Sequence, residues 1–121
     1  MGYILPEIYQ SISSISYIED SVVVGQSKDN DERIILFVKL KDNILLDNTK
    51  RKQISNTIRK NCSPKHVPSI ILSIKDIPYT LNGKKVEIAV KNIIHGIEPK
   101  NKSSLSNPES LKYFKNIKEI N

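Results

Sequence analysis

Arg33 to Lys41 constrains the fold of this chain more than any other stretch. Ile35, Phe37 and Lys39 alternate with Ile34, Leu36, Val38 and Leu40, so an extended segment here has one fully apolar face and one that turns polar near its end. Upstream, Val22-Val23-Val24 reads as a short buried strand between turn-prone Glu19-Asp20-Ser21 and Gly25. The polar stretch from Ser27 to Glu32 joins the two strands as an antiparallel hairpin.

The remaining segments supply helices and one more strand. Pro6 to Ile15 reads as a helix with Ile8, Ile12 and Ile15 on one face. Asp47 is the expected N-cap of a helix running to about Asn61, with Ile54 and Ile58 inward. Pro64 and Pro68 break the chain, and Ser69 to Ile77 reads as a third strand. Lys85 to His95 has the apolar spacing of an amphipathic helix, and Gly96 stops it. Residues 97 to 106 are polar and linker-like. Asn107 then caps a short last helix with Pro108 at its first position and Leu111, Phe114 and Ile117 as its stripe. The expected fold class is α+β: a small, mostly antiparallel sheet with helices packed on one side. Residues 1–96 form the domain, and 97–121 a linker and short C-terminal helix.

Composition narrows the class of protein. At 121 residues, 38% hydrophobic and 26% charged, the chain suits one globular domain. Its net charge of +6 is spread along the chain and reads as a solvated basic surface. A small nucleic-acid-binding module is the alternative by charge. Such modules stack bases on sheet aromatics, however, and Phe37 is the one aromatic in an expected strand and is needed for the core. The single cysteine, Cys62, permits no internal disulfide and fits a reducing cytoplasm. No stretch is long enough to span a bilayer, and no signal peptide is visible.

One segment carries chemistry. In Pro78-Tyr79-Thr80-Leu81-Asn82-Gly83-Lys84, the Asn-Gly pair is a turn signal and projects Lys84 at the start of a helix. A lysine there can act as a mobile point charge between a carboxylate and a phosphate. By itself, an exposed lysine beside a turn is a solvated side chain. His66 and His95 have no second ligand at a metal spacing. Asp29/Asp31 and Asp31/Glu32 are turn residues, no Gly-rich phosphate loop is present, and no Ser/His/Asp set is visible.

The pattern Pro-x-Thr-x-x-Gly-Lys, on Pro78, Thr80, Gly83 and Lys84, resembles the last core motif of acyl-CoA synthetases of the adenylate-forming (AMP-binding) family. Arg59 to Pro68 resembles the same family's helix end and Pro-containing loop. The wording Ser63-Pro64-Lys65-His66-Val67-Pro68 is most similar to acetoacetyl-CoA synthetases. So are Val23-Val24-Gly25-Gln26, Asp31-Glu32-Arg33, Gly83 to Glu87, and Asn107 to Leu111. The similarity runs from about Glu7 to Phe114.

This resemblance implies the small C-terminal domain of a carboxylate–CoA ligase, with Lys84 as the catalytic lysine of adenylation and Arg59 beside the phosphates of CoA. Lys85, beside Lys84 and of the same charge, is expected to have no part in adenylation, so that Lys85→Ala behaves nearly as the unchanged chain. The complete enzyme would use ATP, Mg and CoA, with none bound by this chain alone. The ATP site would lie on a large N-terminal adenylation domain, in cis in relatives and, in one of the arrangements that fit, in trans here, and this chain would be inactive by itself. A domain produced alone, a subunit of a split gene and an inert remnant of a truncated gene all fit. The family's Gly-x-Arg-x-Gly-x-x-Glu-Ile segment survives here only as Glu7-Ile8-Tyr9, with Gly2 and Ile4 at the arginine and second glycine positions. The interdomain hinge would precede Met1.

Overall fold

A computed structural model describes residues 5–28, 30–99 and 102–120. Gly2, Ile4 and Asp29 lie outside the described residues. The elements are α1 (Leu5–Ile12), β1 (Ile18–Lys28), β2 (Asp31–Leu40), α2 (Asn48–Asn61), β3 (Ile70–Ser73) and α3 (Glu87–Ile94). Short 3-10 turns follow at Pro64–His66, Lys102–Ser104, Pro108–Phe114 and Lys118–Ile120.

The sheet has three strands in the order β1-β2-β3. β1 and β2 form the expected antiparallel hairpin, with Val22 opposite Phe37 and Val24 opposite Ile35. β3 runs parallel to β2, pairing Ile71 with Leu36 and Leu72 with Phe37. The sheet is therefore mixed, with most of its ladder antiparallel. β1 reaches back through Glu19-Asp20-Ser21, which composition alone reads as a turn, and its register shifts between Ile18 and Asp20. Such an irregularity lets polar residues extend a strand past its apolar run.

Strand alternation sorts the core into two layers. Val22, Val24, Ile35, Phe37 and Leu72 pack with Ala89, Val90 and Ile93 of α3 and with Leu105, Leu111, Phe114 and Ile120. Val23, Leu36, Val38 and Ile71 pack with Ile8, Ile12 and Ile15 and with Ile54 and Ile58 of α2. Helices thus cover both faces of the sheet, which corrects the one-sided packing expected from sequence. The physical reason lies in β2: its two rows, Ile35/Phe37 and Ile34/Leu36/Val38, are both apolar, so each needs a cover. Phe37 is fully buried and meets Phe114 edge to face, with ring centroids 4.9 Å apart. With both faces covered, the sheet is not a platform for stacking bases.

Local chemistry sets the helix ends. The Asp47 carboxylate caps α2 by accepting from the Lys50 N–H at 2.8 Å. Gly96 ends α3 with φ +78°, a left-handed geometry that costs glycine little. The last segment is 3-10 rather than α-helical, and Asn107 makes no side-chain cap bond to it. Among the described residues, no helix is long and apolar enough to cross a membrane.

Candidate functional site

The Lys84 segment is a small hairpin. Tyr79 and Lys85 pair across it. The Thr80 N–H donates to the Lys84 carbonyl at 2.7 Å, and the Val86 N–H donates to the Pro78 carbonyl at 3.2 Å. Thr80 has a second duty: its Oγ1 accepts from the Lys84 N–H at 3.1 Å. Gly83 turns the chain with φ +81°. Pro78 is buried and roots the loop, while residues 81 to 84 are exposed. Lys84 therefore leaves a braced backbone, three residues before α3 begins, and no side chain among the described residues meets its ammonium group.

Lys85 behaves differently from its neighbour and is tied into the fold. Its Nζ lies 3.3 Å from Asp20 Oδ1 and 3.9 Å from the centre of the Tyr9 ring. Asp20 also accepts the Tyr79 hydroxyl. Tyr9 accepts the outward N–H of Val23 at 2.9 Å. Lys85 thus anchors the base of the hairpin to the edge of β1 and to α1. Burial, reinforced by the hydrogen bond to Asp20, pushes the Tyr79 phenol well above its ordinary range. Burial does the same to Tyr9, against the opposing bond from Val23. Both phenols stay protonated at ordinary pH.

Residues 102 to 107 brace the other edge of the hairpin. The Leu81 N–H donates to the Ser104 carbonyl at 3.0 Å, and the Ser106 N–H to the Tyr79 carbonyl at 2.9 Å. Thr80 and Leu105 form a bridge, with Leu105 buried below them. Neither Asp20 nor Asn107 was marked as a site residue by sequence, because each carries an ordinary turn or cap signature.

Arg59 lies in the last turn of α2, exposed, with one side-chain bond to Asn56 at 3.3 Å. α2 packs on the Val23/Leu36 face, while α3 and the tail pack on the Val22/Phe37 face. Lys84 and Arg59 thus stand on elements from opposite layers of the sheet. The histidines have structural partners. His95 Nε2 accepts from the Ser27 N–H at 3.0 Å, and its Nδ1 lies 2.7 Å from the Lys91 carbonyl. His66 Nδ1 lies 2.6 Å from Ser63 Oγ, and its Nε2 is 2.9 Å from Glu7 Oε2, off the line of a hydrogen bond. This Ser–His–Glu string fastens α1 to the Pro64–Pro68 loop. Among the described residues, no group of three or more His, Cys, Asp or Glu side chains could hold a metal.

No protein-family model matches the chain. The fold is that of a domain in a Brucella canis acyl-CoA synthetase, with a TM-score of 0.67 at 17% identity over 73% of this chain. Acetoacetyl-CoA synthetase from Streptomyces lividans superposes with a TM-score of 0.77 at 32% identity, covering 88% of this chain and 16% of that one. Fold and sequence together liken the chain to the C-terminal domain of adenylate-forming acyl-CoA synthetases. Sequence makes the likeness more particular. The chain is 45% identical over 115 residues to acetoacetyl-CoA synthetase of Xenopus tropicalis, and 39% identical over 114 residues to that of Rhizobium meliloti. The chain is thus similar to the C-terminal piece of acetoacetyl-CoA synthetases. These matches cover 94% of this chain but only 17% and 18% of the relatives.

Proposed function

We propose that this chain is the C-terminal lid of an acid–thiol ligase of the acetoacetyl-CoA synthetase type, acting with a large ATP-binding domain. The carboxylate of the acid attacks the α-phosphate of ATP, forming acyl-adenylate and releasing pyrophosphate. The CoA thiol then attacks the adenylate, giving acyl-CoA and AMP. Acetoacetate is the acid the relatives' names suggest.

Lys84 serves the first step. Its ammonium holds the incoming carboxylate against the α-phosphate and offsets the charge that builds as they meet. Arg59, on the opposite layer, serves the second step by pairing with the phosphates of CoA. Presenting first one layer and then the other to the large domain requires the lid to rotate between steps. Mg enters with ATP on the large domain. The single thiol suits a cytoplasmic enzyme, and activating a short-chain acid as its CoA ester suits lipid metabolism.

The observation that most supports this reading is the contrast between two adjacent lysines. Lys85 is tied to Asp20 and Tyr9, while Lys84 leaves a braced turn with no charged partner among the described residues. The experiment measures pyrophosphate release from ATP, acetoacetate and CoA. The chain alone should release none above background. Adding the large domain of a homologous acetoacetyl-CoA synthetase as a separate chain should start release. Robust turnover by the chain alone would contradict the assignment of the ATP site to another domain.

A further inference from the structure

We propose that residues 102–107 form a strap that holds the Lys84 hairpin in its presenting geometry, with Asn107 as the positioning residue. This rests on the adenylating role proposed for Lys84. The Asn107 amide uses both ends. Its Oδ1 accepts the Tyr79 N–H at 2.9 Å, and its Nδ2 donates to the Ile77 carbonyl at 2.8 Å and to Asp76 Oδ2 at 3.1 Å. Asp76 in turn lies 3.5 Å from the Lys39 ammonium of β2. The strap therefore joins the root of the hairpin to the sheet.

Beyond Asn107, the strap lies along the hairpin edge through the Ser106–Tyr79 and Ser104–Leu81 backbone bonds, and the buried Leu105 anchors it to the core. No strap residue touches the Lys84 side chain among the described residues, so its effect passes through backbone position. An exposed turn with few contacts of its own samples open forms readily. A lysine that must reach between two reacting groups loses rate steeply with small displacement. Removing the Asn107 amide leaves the Tyr79 N–H and the Ile77 carbonyl without these partners, which favours opening of the hairpin.

The test has two arms. In the first, hydrogen exchange is measured on the chain itself. Asn107→Ala should speed exchange at Tyr79 and Leu81 by at least about tenfold, while Val23 and Leu36 exchange as in the unchanged chain. In the second arm, the large domain is supplied. Adenylation kcat should then fall about tenfold with KM for ATP within about twofold, a split expected of lost positioning. Thioester formation from pre-made acyl-adenylate should be unchanged. Asn107→Asp loses the donor to Ile77 and sets a second carboxylate against Asp76, so it should open the hairpin at least as much as Asn107→Ala. Asn107→Ser, too short to bridge both groups, carries the same test if Asn107→Ala does not fold. Unchanged exchange at Tyr79 and Leu81 overturns the strap. Faster exchange with full adenylation, or an equal loss in both half-reactions, overturns the positioning role. Lys84→Ala, run alongside, separates the readings: if adenylation survives it, the parent reading fails, and the exchange arm still decides whether the strap holds the hairpin.

Discussion

The Lys85 ammonium lies 3.3 Å from Asp20, whereas Lys84, one residue earlier, projects from the same hairpin with no side chain among the described residues against its charge. In an extended hairpin, successive side chains point to opposite sides. Only one of two adjacent lysines can therefore face the domain. The pairing of Tyr79 with Lys85 fixes which one does.

Truncation of the two lysines should accordingly give opposite results in a denaturant titration of the isolated chain. Lys85→Ala should lose about 1–2 kcal/mol, from the ion pair with Asp20 and the contact with the Tyr9 ring. Lys84→Ala should stay within about 0.5 kcal/mol of the unchanged chain. Equal losses would mean that Lys85 is not the anchor.

Two glycines should respond differently to alanine. At Gly83 an added Cβ meets nothing within 4 Å, but φ is +81°. Gly83→Ala should cost about 1 kcal/mol from backbone strain alone. At Gly25 the added Cβ would come within 2.6 Å of Glu32 Oε1, the free end of an exposed, flexible side chain. Glu32 can swing away, so Gly25→Ala should be nearly neutral in the same titration.

The tail is part of the core, and one residue tests this. Phe114 is 1% exposed and packs edge to face on Phe37. Phe114→Ala should destabilise by about 3–5 kcal/mol, the range for deleting a buried aromatic ring. A loss under about 1 kcal/mol in thermal or chemical unfolding would show the tail to be a loosely attached appendage.

The pH response of α2 follows from its cap. The backbone N–H of Lys50 and then its side chain hold the Asp47 carboxyl below its ordinary value of 3.8. A carboxyl depressed in the folded state contributes stability that is full above that value and fades as pH falls through the folded one. Asp47→Asn keeps a capping oxygen but cannot titrate. The gap between the melting curves of the two forms should be constant near neutrality and shrink below about pH 4. A gap that does not change on acidification would contradict this.

The layout of the fold was legible where chemistry is local. Alternation in Ile34 to Leu40, the Asp47 cap and the Gly96 stop each depend on near neighbours, and each appears in the structure. Contacts between distant residues were not legible. Asp20 has a turn signature, yet it lies in β1 and binds Lys85 and Tyr79, which are distant in sequence. Asn107 has the signature of a helix cap, yet its amide faces Tyr79 and Ile77. The stretch before it reads as linker because it is polar, and one buried residue, Leu105, was too weak a signal to place it on the core. Sequence therefore singled out Lys84 but not what holds it in place.

The central claim is that Lys84 supplies the charge for adenylation, and ATP–pyrophosphate exchange measures this most directly. The assay combines the chain, the large domain of a homologous acetoacetyl-CoA synthetase, ATP and acetoacetate, with CoA left out. Lys84→Ala should abolish exchange. Lys84→Arg should restore little, because the planar guanidinium keeps the charge but not the geometry. Lys91→Ala, removing an exposed lysine of α3, is the control for general basic charge and should exchange like the unchanged chain. Exchange that survives Lys84→Ala, or falls equally with Lys91→Ala, would contradict the account.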